Sequence, residues 1–217
     1  MSELLFNELP RPTFRWLRVN HTVSSLAGED TAVQSIAVEA NKNILSPLPV
    51  GTALLDGNYE GANKEAVHVL VEKAEGYAIN VPPKAKEVVG IRIDANARVA
   101  NRFQFIVGEG AELEVQFYVT GSGDALTNVS YLNEYDVKEA GKVVVKKVNL
   151  LPEHVQHIEH RYTKLEEKAD VEYINIEIGG SENILNYYHD LVGQESRMVH
   201  DIAYLGNKEQ KFDISMV

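Results

Sequence analysis

The chain contains no cysteine, which excludes disulfides, thiolate zinc sites, cysteine nucleophiles and cysteine-ligated iron–sulfur clusters built from this chain alone. Basic residues are also scarce, with 21 Lys and Arg against 32 Asp and Glu for a net charge of −11. The acids are spread through the chain and form no tail. Nucleic-acid binding needs clustered Lys and Arg, so the charge argues against that class before any other. No apolar run reaches membrane-spanning length, and Glu3, Glu8, Pro10 and Pro12 interrupt the place where a signal peptide needs an unbroken apolar core. The expected location is the cytoplasm.

What is present is enough to build a core: 217 residues, 44% of them apolar. From Phe6 to about Gly51, Pro10, Pro12, Pro47 and Pro49 surround the stretch Phe14-Arg15-Trp16-Leu17-Arg18-Val19, which fits neither the helical nor the strand period. Residues 1–66 therefore read as an irregular N-terminal cover, and residues 67–217 as a β core. From Val67 onward alternation dominates: Val67, Val69, Val71; then Tyr77, Ile79, Val81; then Val89, Ile91, Ile93. Period two means half-buried strands. The clearest case is Ala111 to Phe117, apolar at every odd position and polar at every even one, which predicts Val115 and Phe117 inward with Glu114 and Gln116 in solvent.

The strands recur, each opened by a small residue. Ala97, Ala111 and Ala125 are 14 apart, Gly141 follows after 16, and the series resumes at Ala169 with further starts near Asn183, Ser196 and Glu209. Turn residues separate the units at Gly108-Glu109-Gly110, Gly121-Ser122-Gly123-Asp124, Glu139-Ala140-Gly141 and Gly179-Gly180. Strands joined by short turns form either an antiparallel arrangement such as a β-sandwich or a solenoid. The recurring small residue favours the solenoid, because stacked coils place equivalent residues above one another at each corner.

The stretch Ile91-Arg92-Ile93-Asp94-Ala95-Asn96-Ala97-Arg98-Val99, followed by Gly108-Glu109-Gly110-Ala111-Glu112-Leu113, resembles the core repeats of the SufB/SufD family of iron–sulfur cluster assembly proteins. Glu167-Lys168-Ala169-Asp170-Val171-Glu172-Tyr173, leading to Ile176-Glu177-Ile178-Gly179-Gly180, is similar to that family's mid-core strand ending in a glycine pair. Leu9-Pro10 with Thr13-Phe14-Arg15-Trp16 is similar to the opening segment of its shorter members. The similarity runs from Ile91 to the C-terminus and is loose before it. The resemblance implies a right-handed parallel β-helix acting as a non-enzymatic scaffold with a SufB- or SufD-type sister subunit and the ATPase SufC. It implies no cofactor held by this chain alone, with iron or a cluster bound only together with partners. The family's C-terminal helical region, which docks the ATPase, has no counterpart before Phe212-Asp213-Ile214-Ser215-Met216-Val217. That closing alternation suggests pairing through a strand edge, with a sister subunit or a second copy.

Other residues could carry chemistry. His154, His157 and His160 are three apart, and imidazole is a common metal ligand. On a strand, His154 and His160 share a face about 20 Å apart while His157 faces the other way. On a helix they could converge, but Pro152 and Tyr162 leave no sustained helical stripe. They are expected on a solvated loop or strand surface, with no metal role. Glu112, Glu114, Glu134, Asp136, Asp170 and Glu172 are the acids a carbohydrate-active β-helix could use, and they are expected on a plain outer face. The Gly-x-Gly turns at Gly108 and Gly121 lack a following helix and a Gly-Lys-Ser/Thr, so they read as turns and not phosphate cradles. Asn128-Val129-Ser130 is a formal glycosylation sequon. No catalytic or cofactor-binding residue is assigned.

Overall fold

A computed structural model describes residues 3–9, 20–25, 36–122, 127–207 and 209–217. The stretch Thr13–Val19, the repeat start Ala125 and the turn residues Gly123 and Asp124 lie outside them. In chain order the elements are β1 (Leu4–Phe6), β2 (Thr22–Ser24), β3 (Ile36–Glu39), β4 (Leu45–Leu48), α1 (Lys64–Lys73), β5 (Gly76–Val81), β6 (Lys86–Asp94), β7 (Val99–Val107) and β8 (Glu112–Thr120). They continue with β9 (Thr127–Val137), β10 (Lys142–Asn149), β11 (Val155–Leu165), β12 (Asp170–Glu177), β13 (Glu182–Leu191), β14 (Arg197–Tyr204) and β15 (Lys211–Met216).

Successive strands alternate between two walls. One wall runs β14-β12-β10-β8-β6-β3 and the other β15-β13-β11-β9-β7-β5-β4. From β5 to β15 every pairing within a wall is parallel. A sandwich of antiparallel hairpins is thereby ruled out, and the chain is a parallel β-solenoid of about five turns. Within the two walls, among the described residues, only β3 against β6 and β4 against β5 run antiparallel, at the first coil, and β1 and β2 form a separate antiparallel pair.

The corners explain the small-residue repeat. Lys86 pairs with Glu112, Glu112 with Lys142, Lys142 with Asp170 and Asp170 with Arg197. The residues just before them, Ala85, Ala111, Gly141 and Ala169, are linked in a column by backbone bonds such as Lys142 N to Ala111 O and Asp170 N to Gly141 O, each 2.8–2.9 Å. One 14-residue unit is thus half a coil. The residue preceding each corner, Lys84, Gly110, Ala140, Lys168 or Glu195, has φ between 54° and 62°. Only one of the five is glycine, so the stacked turns impose the left-handed conformation on residues that ordinarily avoid it.

Inward positions of the earlier coils are apolar as the alternation predicted. Val89, Ile91, Ile93, Leu113, Val115, Phe117 and Val119 are buried, whereas Gln116 is exposed and Glu114 half-buried. Aromatic rings fill the lumen between the walls, with Phe105 stacked on Tyr135 at 4.5 Å and Phe103 edge-on to Phe117 at 5.7 Å.

The strand expected at Val67, Val69 and Val71 is instead part of α1. Asn63 caps that helix by accepting a hydrogen bond from Ala66 N, Glu65 lies in its first turn and Lys73 in its last. Ala66, Val67 and Leu70 form its buried face. The valine alternation coexists with this helical spacing, and the helix wins because the outer face of the β7–β9–β11 wall needs a cover. Val67 and Leu70 pack with Tyr59, Leu132 and Tyr162, and Ala66 with Phe6, Ile158 and Ile184. Polar clasps fix the same cover. Arg102 donates to Thr52 O at 2.6 Å and pairs with Glu134 at 2.9 Å, and Glu134 also accepts from Leu55 N at 2.7 Å. The central strands of that wall are therefore buried on both faces, which period-two alternation did not foresee.

Candidate functional site

Past the aromatic layers, inward positions of β10 to β13 turn polar. Lys147 and Asn149 on β10, His157, Glu159, Arg161 and Thr163 on β11, Asn175 and Glu177 on β12 and Asn183 on β13 all face the lumen, each at most 1% exposed. Glu159 is the hub. It accepts from Tyr131 Oη at 3.3 Å, Asn133 Nδ2 at 3.0 Å, Tyr187 Oη at 3.2 Å and Arg161 Nε at 3.0 Å, and it also binds Lys147 Nζ and Arg161 Nη2. Lys147 Nζ bridges to the second carboxylate, Glu177, at 2.6 Å. The Arg161 guanidinium is held between the rings of Tyr173 and Tyr187, at 4.3 and 4.2 Å.

The two carboxylates are pushed apart electrostatically. Burial alone would raise Glu159, but the Arg161 and Lys147 cations more than offset it and hold Glu159 well below the usual carboxylate range. At Glu177 burial dominates over the pull of Lys147, and the nearby Glu159 charge adds to it, so its pKa is raised. Burial, reinforced by Lys147, pulls His157 down to about 3. The ring is neutral. Its Nε2 meets Tyr131 Oη at 3.0 Å, and its Nδ1 meets Asn149 Nδ2 and Asn183 Oδ1, each at 3.1 Å. The cluster places fixed, compensated charge inside the solenoid, where no solvent-borne substrate touches Glu159 or Glu177 in this conformation.

The histidine run is not a surface feature, contrary to the expectation from sequence. His157 and His160 have zero exposure. β11 lies under the cover on one side and lines the lumen on the other, so both its faces are interior. His160 points outward, where its Nδ1 accepts from Ala62 N at 3.0 Å; His154 precedes the strand, half-buried. The three sit in separate surroundings and do not converge. Among the described residues no three His, Asp or Glu side chains gather as a metal-ligand set.

The acids divide as well. Glu112 and Glu114 lie on the outer wall, and hydrogen bonds to Lys86 and Lys146 lower their pKa values. Asp170 pairs with Arg197 at 3.4 Å on the same face and Asp136 with Lys138 at 2.8 Å, while Glu172 is half-buried. Glu134 departs from the plain outer-face expectation, being buried in the clasp with Arg102 because α1 and its loop cover that wall. Gly108 is a close-packed turn in which a Cβ would stand 2.6 Å from Pro83 N, and Gly121 approaches Ala95 O. Asn128 is fully buried and donates to Gln156 Oε1 at 2.6 Å, so the sequon is shielded.

The lumen cluster was missed in the sequence, although it left a signal there. Lys146-Lys147-Val148-Asn149 and His157-Ile158-Glu159-His160-Arg161 keep strand length without apolar alternation, as a strand must when polar groups are satisfied on its inner side. A family model described as SUF system FeS cluster assembly, SufBD core domain, matches residues 91–217, which contain the whole lumen cluster. No curated protein and no solved structure matches the chain.

Proposed function

Because the chain belongs to the SUF system SufBD core domain family, a component of iron–sulfur cluster assembly, we propose that it works as a non-enzymatic scaffold or partner subunit beside a SufB- or SufD-type sister and a SufC-type ATPase. The carrying observation is the family match over a solenoid with unpaired strand edges. Among the described residues, β14 pairs only with β12 and β15 only with β13. Around those edges Tyr204, Leu205, Met216 and Val217 are 51–68% exposed. Unpaired backbone N–H and C=O groups beside exposed apolar side chains form a template for strand addition. A sister subunit docks there in this reading, or a second copy when the sister is missing.

With no thiolate in the chain, the protein alone supplies no cysteine-ligated cluster, and in this reading iron or a cluster is held only together with partners. The location proposed is the cytoplasm; among the described residues no helix is long and apolar enough to cross a membrane. The test is sedimentation of the chain alone and with a SufB- or SufD-type partner. Association through β15 should weaken with Ile214→Lys, and anaerobic reconstitution of the chain alone should leave no cluster absorbance after desalting. A strict monomer well above micromolar concentration that ignores every such partner sinks the subunit role.

A further inference from the structure

Two histidines beyond the charged cluster have no role in it. His189 on β13 and His200 on β14 are half-buried as residues, yet both nitrogens of both rings are covered and lack a hydrogen-bond partner. Buried imidazole nitrogens ordinarily find partners, and two neighbouring rings with all four nitrogens unpaired are open to a shared ligand. The two rings lie over one aromatic floor: His189 is 5.5 Å and His200 5.3 Å from the Tyr173 ring, and His200 is 4.8 Å from Tyr187. Burial, with the positive charge of Arg161 behind it, pulls His189 to about 4 and His200 to about 3. Both rings are neutral at pH 7, the form that binds metals.

The ring centroids are 6.0 Å apart and the rings nearly perpendicular, at 82°. A metal–nitrogen bond of about 2.0 Å places an ion about 3.2 Å from each ring centroid, so two rings sharing one ion at this separation subtend roughly 140°. A tetrahedral site would draw them to about 5.2 Å. The chain offers the ion no carboxylate or thiolate here, since no third His, Asp or Glu joins the pair among the described residues. Zinc and iron ordinarily take three or four protein ligands, and burying a divalent ion costs about four times the self-energy of a monovalent one, with Arg161 adding repulsion.

We propose that His189 and His200 form a two-coordinate site for a soft monovalent metal ion, copper(I) being the natural candidate, at the far end of the lumen. The site is distinct from the assembly role above because it uses imidazole side chains, whereas the partner contact uses the backbone edges of β14 and β15. The test is anaerobic titration of the full chain with copper(I) against a chromophoric chelator. One equivalent should be retained, with a first shell of two nitrogens by X-ray absorption, and His189→Asn or His200→Asn should each lower affinity about 100-fold or more. His68→Asn, at an exposed position on α1, should change nothing. Imidazole nitrogen NMR on the unmutated protein guards against a variant that fails to fold: resonances of His189 and His200 should move on adding copper(I) while His68 stays. Loss of all copper to the chelator, shifts confined to other histidines, or preferential retention of zinc(II) or iron(II) by this pair would each overturn the proposal.

Discussion

Lys147→Met removes the cation that Glu159 and Glu177 share. In the native lumen Lys147 Nζ binds Glu159 and lies 2.6 Å from Glu177, all with zero side-chain exposure. Glu159 keeps Arg161 after the substitution, but Glu177 loses its nearest cation. Breaking one member of a buried pair costs about 3–5 kcal/mol, because the partner is left charged and unsolvated. That is a large share of the roughly 5–15 kcal/mol that keeps a domain folded, so the expected result in urea denaturation at pH 7 is a sharply lowered midpoint.

The pH dependence separates this cause from simple loss of packing. Glu177 already has a folded pKa raised above the ordinary 4.5 by burial, and losing Lys147 raises it further. A carboxyl with a raised folded pKa binds its proton more tightly in the native state. It therefore costs stability at pH values above the folded pKa and returns that stability as pH falls toward 4.5. Lys147→Met should thus be least harmful in mild acid. Adding Glu177→Gln should restore most of the loss at neutral pH, and Glu177→Gln alone should be nearly neutral. A penalty below about 1 kcal/mol for Lys147→Met, or a double variant no better than the single one, would refute the account of Lys147 as the cation that compensates both carboxylates.

At β8, Phe117→Ala should cost about 3–5 kcal/mol by leaving a cavity between Phe103 and Tyr131, whereas Glu114→Ala should cost at most about 1 kcal/mol by losing a surface ion pair; equal midpoints in denaturation would remove the inward-outward assignment. Among the stacked corners, Ala140→Gly should be neutral or stabilising because φ is +54° there, and Gly110→Ala should be destabilising at φ +61°; thermal melts that reverse this order would deny that the corners are strained. Burial lowers His160 from 6.5 to about 4, so below pH 6.5 the unfolded chain takes up a proton that the native protein refuses until about pH 4. Stability should fall through that window by about 1.4 kcal/mol per pH unit for this residue. His160→Gln should flatten the slope of denaturation midpoints against pH, and an unchanged slope would mean that His160 is not held neutral under the cover.

The solenoid was legible in the sequence because its two determinants are local and repeated. Alternation at Leu113, Val115 and Phe117 sets which side of a strand faces in, and a small residue at Ala111, Gly141 and Ala169 recurs because each corner sits on the last. Absence of cysteine likewise excluded thiolate ligands from this chain without any structure. Three features belonged to the tertiary structure. Whether Val67 to Val71 formed a strand or a helix depended on a wall, far off in sequence, that needed covering, and both periods fitted the same valines. Whether His157 and His160 met solvent depended on that cover too, since a strand period tells the two faces apart but does not say that both are interior. The charged lumen is the most non-local of all: Lys147, Glu159 and Glu177 lie on three different strands, and only the stacking of coils brings their charges within a hydrogen bond of one another and makes their burial tolerable.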